Sequence, residues 1–153
     1  MDNRIQISKS FTMYDVQFDE TAFRLGIENI VPNQDYADNA ALLAEKVLEP
    51  LWAELGPQYI TSWYRCENLE REYSRKAFAM WCIENKKPIR EQQWQEYLAL
   101  KQHYTAQAVC LRGNNDAIFA FIKSLKDFDV LQHKEHWISV SCTLSNRKRV
   151  IEK

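Results

Sequence analysis

The feature that most constrains the fold of this chain is the order in which its hydrophobic patterns follow one another. Apolar side chains recur at helical spacing in three long segments, 32–55, 67–84 and 89–102. Alternating strand patterns are concentrated later, in "TAQAVCL", "FDVLQ" and "HWISVSCTL", with an amphipathic helix in "NNDAIFAFIKSLK" and one earlier strand in "GPQYITSWYR". A helix-rich first part followed by strands with helices between them predicts an α+β domain.

The first long helical segment contains its own start signal and its own irregularity. Asn33 is a suitable N-cap for the helix that follows it. Pro50 lies inside the same apolar pattern, where it lacks an amide donor and crowds the preceding turn. We therefore expect a kink near Lys46 or a break in the helix.

Composition limits the class of protein. A chain of 153 residues that is 46% hydrophobic can bury one core, and we expect a single domain over 1–153. The chain has 20 basic and 21 acidic side chains, so its net charge gives no electrostatic attraction to nucleic acid, and we expect no nucleic-acid partner. The end "NRKRVIEK" is locally basic, and we expect it to be an ordinary solvated terminus. We predict no membrane span and, because the N-terminus lacks an apolar signal segment, synthesis in the cytoplasm.

The stretches around "TMYDVQFDE", "ITSWYR" and "HYTAQAV", read together, resemble the zinc D-Ala-D-Ala carboxypeptidase-like peptidases of phages and bacteria. The first is "SKSFTMYDVQFDETAFRLGIENIVP" with "LLAEKVLEPLWAELG", which is similar to the N-terminal portion of phage-type members. The second is "ITSWYR", which resembles an "I-x-S-G-Y-R" strand with Trp63 in place of glycine, where an indole pointing inward would fill the cleft. The third comprises "HYTAQAV", "FDVL" and "WISVS" with "NRKRV". The resemblance implies a Hedgehog/DD-peptidase-like fold, a small antiparallel sheet packed with helices, plus a helical insertion at 72–101.

The resemblance also implies a metal site that is degenerate in this chain. Zinc hydrolysis needs three protein ligands and one open position for an acidified water. His103 matches the family's first ligand, Cys110 stands where an aspartate is expected, and Ser139 stands where the second histidine is expected. A hydroxyl is a poor zinc ligand, so we expect neither a metal nor a working catalytic residue. The alternative is a zinc site rebuilt from His103, Cys110 and His133, because strand alternation turns His136 away from position 139.

Two further positions carry over from the family. Lys134, or Glu135 with a one-residue gap, occupies the place of the general base. Arg65 of "SWYR" matches an arginine thought to contact substrate, although it could equally pair with a carboxylate of its own domain.

These observations favour a catalytically inactive peptidase-like domain that serves as a structural or protein-binding module. The resemblance to phage-type members suggests a component of a phage or prophage virion, bound to phage structural proteins or to itself. In the insertion, Trp81, Trp94 and Tyr97 are candidate interface residues, and the equal alternative is that they cover the core. Two other functions stay open: an active zinc peptidase of peptidoglycan with altered ligands, and a peptidoglycan-binding pseudoenzyme that uses Arg65 without cutting.

Overall fold

The computed structural model describes residues 1–152 and forms a mixed α+β fold. Its helical first part runs through α1 Met13–Gln17, α2 Glu20–Leu25, α3 Gln34–Leu43, a π-helical turn Ala44–Leu48 and α4 Glu49–Leu55. After β1 Tyr59–Ser62 come α5 Glu67–Glu84, α6 Glu91–Leu98, β2 Ala108–Arg112, α7 Asn115–Lys123, β3 Val130–His133, β4 Ile138–Ser141 and β5 Arg149–Ile151. The α+β prediction is confirmed at this level.

The strands form one sheet in the order β1-β2-β4-β3-β5. Its neighbours are antiparallel except β3 and β5, which pair in parallel. The expectation of an antiparallel sheet is therefore wrong at one edge. The difference arises because the basic chain end, expected to be solvated, returns along β3 and pairs Val150 with Leu131.

The irregularity predicted near Lys46 is present. Regular α3 begins at its cap, where the Asn33 side chain accepts a hydrogen bond from the Tyr36 amide. The helix widens into the π-helical turn at 44–48, and the Glu49 amide donates to the carbonyl of Ala44. Because Pro50 has no amide hydrogen, it cannot continue the α-helical bonding pattern, and the wider turn absorbs this defect.

The main core lies between the N-terminal helices and the sheet, and it includes Trp63, which stands where the zinc peptidases compared above have a glycine. Trp63 is fully buried, packs edge-on against Phe11 and donates its indole hydrogen to the carbonyl of Ala106 at 3.2 Å. The indole thus lies in the core and does not line the cleft described below. Burial of this large ring stabilises the junction between β1 and the segment that carries His103.

The insertion at 72–101 is built around a second, smaller core between α5 and α6. Trp94, Tyr97 and Leu98 form its centre, and Phe78 and Trp81 pack against them. Trp94 is 2% exposed and Tyr97 is 6% exposed, so the prediction that these two residues form a partner interface is corrected. They form the centre of a separate cluster and do not cover the main core, and Trp81 is half-buried beside them.

In residues 1–152, no helix combines the length and the apolar character that a membrane crossing requires.

Candidate functional site

Four of the residues singled out from the sequence converge on one cleft. Arg65, His103, Cys110 and Ser139 all line a cavity of about 660 Å³. Its floor is the exposed face of the sheet, and its volume is within the range of ordinary ligand sites. The convergence places in one chemical environment the positions that the resemblance assigned to metal ligands and to substrate contact.

Strand register explains why the floor is polar. Cys110 on β2 pairs directly with Ser139 on β4, which pairs directly with Gln132 on β3. Directly paired residues project to the same face of a sheet, so a thiol, a hydroxyl and an amide form a row across the three strands. All three side chains line the cleft.

The same register separates His133 from this row. His133 follows Gln132 on β3 and so projects to the other face, where its ring lies 5.1 Å from that of Phe119. Its Nε2 is 3.1 Å from an oxygen of Asp116. The alternative zinc site that included His133 is therefore corrected, because the sheet lies between this imidazole and Cys110.

The connection between β3 and β4 contains the other candidate residues. Lys134, His136 and Trp137 line the cleft. His136 was expected to point away from Ser139, but it precedes β4 and is not bound by strand alternation. Glu135 is 68% exposed, is outside the described cleft lining and lies 3.8 Å from the His136 imidazole. Of the two positions that the resemblance suggested for a general base, only Lys134 is in the described cleft lining.

His103 is held in one tautomer by the backbone. Its Nδ1 lies 2.7 Å from the Trp63 carbonyl oxygen, and a carbonyl only accepts, so Nδ1 carries the hydrogen. Nε2 then presents a lone pair to the Cys110 sulfur at 3.5 Å. Burial, reinforced by the positive charge of Arg65, lowers the pKa of His103 well below its ordinary value.

Cys110 completes a neutral pair with this imidazole. It is a free thiol, 5% exposed, and burial raises its pKa. A neutral thiol beside an imidazole lone pair donates its hydrogen to the nitrogen. The centre of the cleft therefore holds an uncharged hydrogen-bonded pair.

Arg65 is fixed against the same sulfur. Its Nε donates to the Ser62 hydroxyl at 2.8 Å, and its guanidinium lies 3.6 Å from the centroid of the Tyr73 ring. One terminal nitrogen is 3.7 Å from Glu70 and the other is 3.7 Å from the Cys110 sulfur. Arg65 thus pairs with a carboxylate of its own domain, one of the two roles considered from the sequence.

The donor set does not fit a hydrolytic zinc centre, although one spacing does. Tetrahedral zinc with Zn–N and Zn–S bonds of about 2.0 and 2.3 Å separates the two donors by about 3.5 Å, which is the distance between His103 and Cys110. The place of the third zinc ligand is occupied by the Ser139 hydroxyl, which is a poor ligand for zinc. The Arg65 guanidinium contacts the Cys110 sulfur, the atom that zinc would have to bind. Among the described residues, no three His, Cys, Asp or Glu side chains are grouped to hold a metal ion.

Sequence reasoning missed the contribution of the insertion to this site. Tyr73, Ser74 and Ala77 of α5 and Lys101 after α6 line the cleft. The available signal was the helical spacing of Tyr73 and Ala77, which places them on one face of α5. Both side chains are exposed, so this face is not taken up by the core.

In comparisons with known proteins, the chain matches no family model, no curated protein and no solved structure.

Proposed function

We propose that the chain is a non-hydrolytic domain of the DD-peptidase type that acts by binding through its cleft. The observation that carries the proposal is the state of Cys110: its sulfur contacts the His103 imidazole and the Arg65 guanidinium together. The Cys110 thiol thus forms hydrogen bonds to His103 and Arg65, within its own chain. The resemblance to phage-type members extends the proposal to a protein-binding component of a phage or prophage particle.

Electrostatics supports the loss of metal-dependent hydrolysis. A zinc ion would have to displace the proton of Cys110, whose pKa is raised by burial. It would also bind beside the Arg65 guanidinium, 3.7 Å from the shared sulfur, where like charges repel. In addition, the ammonium of Lys134 replaces the carboxylate that would activate water.

The test is metal content and peptide hydrolysis by the purified chain. After incubation with equimolar zinc and dialysis, we expect well under one zinc per chain and no release of D-alanine from a muropeptide pentapeptide. The matched gain-of-function variant, Cys110→Asp with Ser139→His, rebuilds the family's donors and should retain zinc. Adding His103→Asn to that variant should abolish retention again.

The competing function is an active zinc peptidase, and the spacing of His103 and Cys110 is the observation in its favour. Stoichiometric zinc in the unaltered chain, lost on His103→Asn and accompanied by chelator-sensitive D-alanine release, would establish that function. It would also overturn the proposal above.

A further inference from the structure

The insertion at 72–101 forms part of the wall of the cleft. Tyr73, Ser74 and Ala77 on α5 and Lys101 after α6 belong to the insertion and line the cavity. The other contributors come from the sheet, from the connection between β3 and β4, from α2, and from the segments that precede α5 and β2. The insertion therefore determines what can enter the cleft.

The charges of the cleft differ from those of the whole chain. Overall the chain has 20 basic and 21 acidic side chains. The cleft is lined by four cationic side chains and one carboxylate: Arg65, Lys101, Arg112 and Lys134 against Glu20. A local excess of one sign attracts ligands of the other sign.

Two of these cations are already neutralised by carboxylates. Arg112 lies 3.3 Å from Glu20, and Arg65 lies 3.7 Å from buried Glu70. Buried Asp19 caps α2 and accepts a hydrogen bond from the hydroxyl of Tyr73, which lines the cleft. Each of these three carboxylates therefore already has at least one partner within the chain.

The other two cations have no such partner. No carboxylate of residues 1–152 forms an ion pair with Lys101 or Lys134. Lys101 is nevertheless held in place, because its ammonium donates to the Tyr97 hydroxyl at 3.3 Å and lies 5.0 Å from the ring centroid. An ammonium positioned in advance loses less entropy when it binds an anion.

We propose that the cleft binds an acidic peptide segment whose carboxylates pair with Lys101 and Lys134. Beside the engaged thiol of Cys110, the partly exposed side chains of Ser139 and Gln132 offer hydrogen-bonding groups to its extended backbone. Both arginines of the lining are already engaged, so the cations left for the carboxylates of the peptide are the two lysines, which act as single point charges. This inference rests on the proposed function, since it requires binding without cleavage.

The experiment is calorimetric titration of the full chain with two synthetic decapeptides, acetylated and amidated at their ends. One alternates Glu with Ala, and the other has Gln at every Glu. We expect the Glu peptide to bind at low salt and to weaken at least about threefold at 150 mM NaCl, with no detectable binding of the Gln peptide. Lys101→Gln and Lys134→Gln should each weaken binding by about three- to fivefold, and the double variant by about tenfold.

The matched control is Lys126→Gln, which removes the same charge from an exposed lysine outside the cleft lining. It should leave the affinity unchanged. Equal binding of the two peptides, or an equal loss in Lys126→Gln, overturns the inference. Zinc content of the same preparations separates the two proposals: metal-free protein that ignores the Glu peptide overturns the inference alone, and zinc-loaded protein that releases D-alanine overturns the proposed function.

Discussion

Replacing His103 by asparagine should remove a large part of the sensitivity of this fold to mild acid. The imidazole is buried and neutral, and Arg65 and Lys101 both oppose its protonation. The unfolded chain takes up a proton below about pH 6.5 and the folded chain does not, so stability falls as pH falls. For an imidazole that stays neutral in the folded chain and has an ordinary pKa in the unfolded chain, linkage gives a loss of about 2 kcal/mol between pH 7 and pH 5.

The assay is urea denaturation followed by tryptophan fluorescence at half-unit steps from pH 7 to pH 5. Asparagine can still donate to the Trp63 carbonyl, as Nδ1 of His103 does, so His103→Asn should lose the slope and keep the fold. His136→Asn is the control, because that imidazole also lines the cleft but is 73% exposed, and water reaches it in both states. An equal slope in His103→Asn and the unaltered chain would refute the reasoning.

Two further predictions concern stability away from the cleft centre. Buried Asp129 accepts three hydrogen bonds from Arg147 and one from Gln102, and those from Arg147 lower its pKa. Asp129→Asn should cost about 2–3 kcal/mol at pH 7. Because the pKa is lowered only in the folded chain, the difference shrinks below about pH 4, where the aspartate of the unfolded chain takes up a proton first; an unchanged difference at pH 3 would contradict this. Trp94→Ala should cost about 3–5 kcal/mol in urea denaturation, and a loss under about 1 kcal/mol would mean that the second core contributes little.

Local features of the fold could be predicted because their causes are local. Pro50 removes a hydrogen bond within its own helix, and Asn33 caps the helix that follows it. The alternation in "WISVS" places Ser139 on one face of β4, whatever packs against that face. A single segment contains all the information needed for each of these predictions.

The rest depends on contacts between distant segments. The parallel pairing of β5 with β3 joins Val130 to Arg149, and the whole of β4 lies between them in the sequence. The direction of the Trp63 indole is decided by Phe11 and by the Ala106 carbonyl, both remote in sequence. The insertion lines the cleft because of how α5 packs, and helical spacing shows which face is apolar but not what it meets.

The distribution of satisfied and unsatisfied groups shows where this cleft can act. At its centre, His103 has partners for both ring nitrogens, and Arg65 is bonded, stacked and paired. A ligand gains little by displacing contacts that are already made, because each exchange must first break one of them. Lys101 and Lys134 lack a carboxylate partner among the described residues, so the charge available for recognition lies with these two ammoniums, and the centre serves to hold the walls in position.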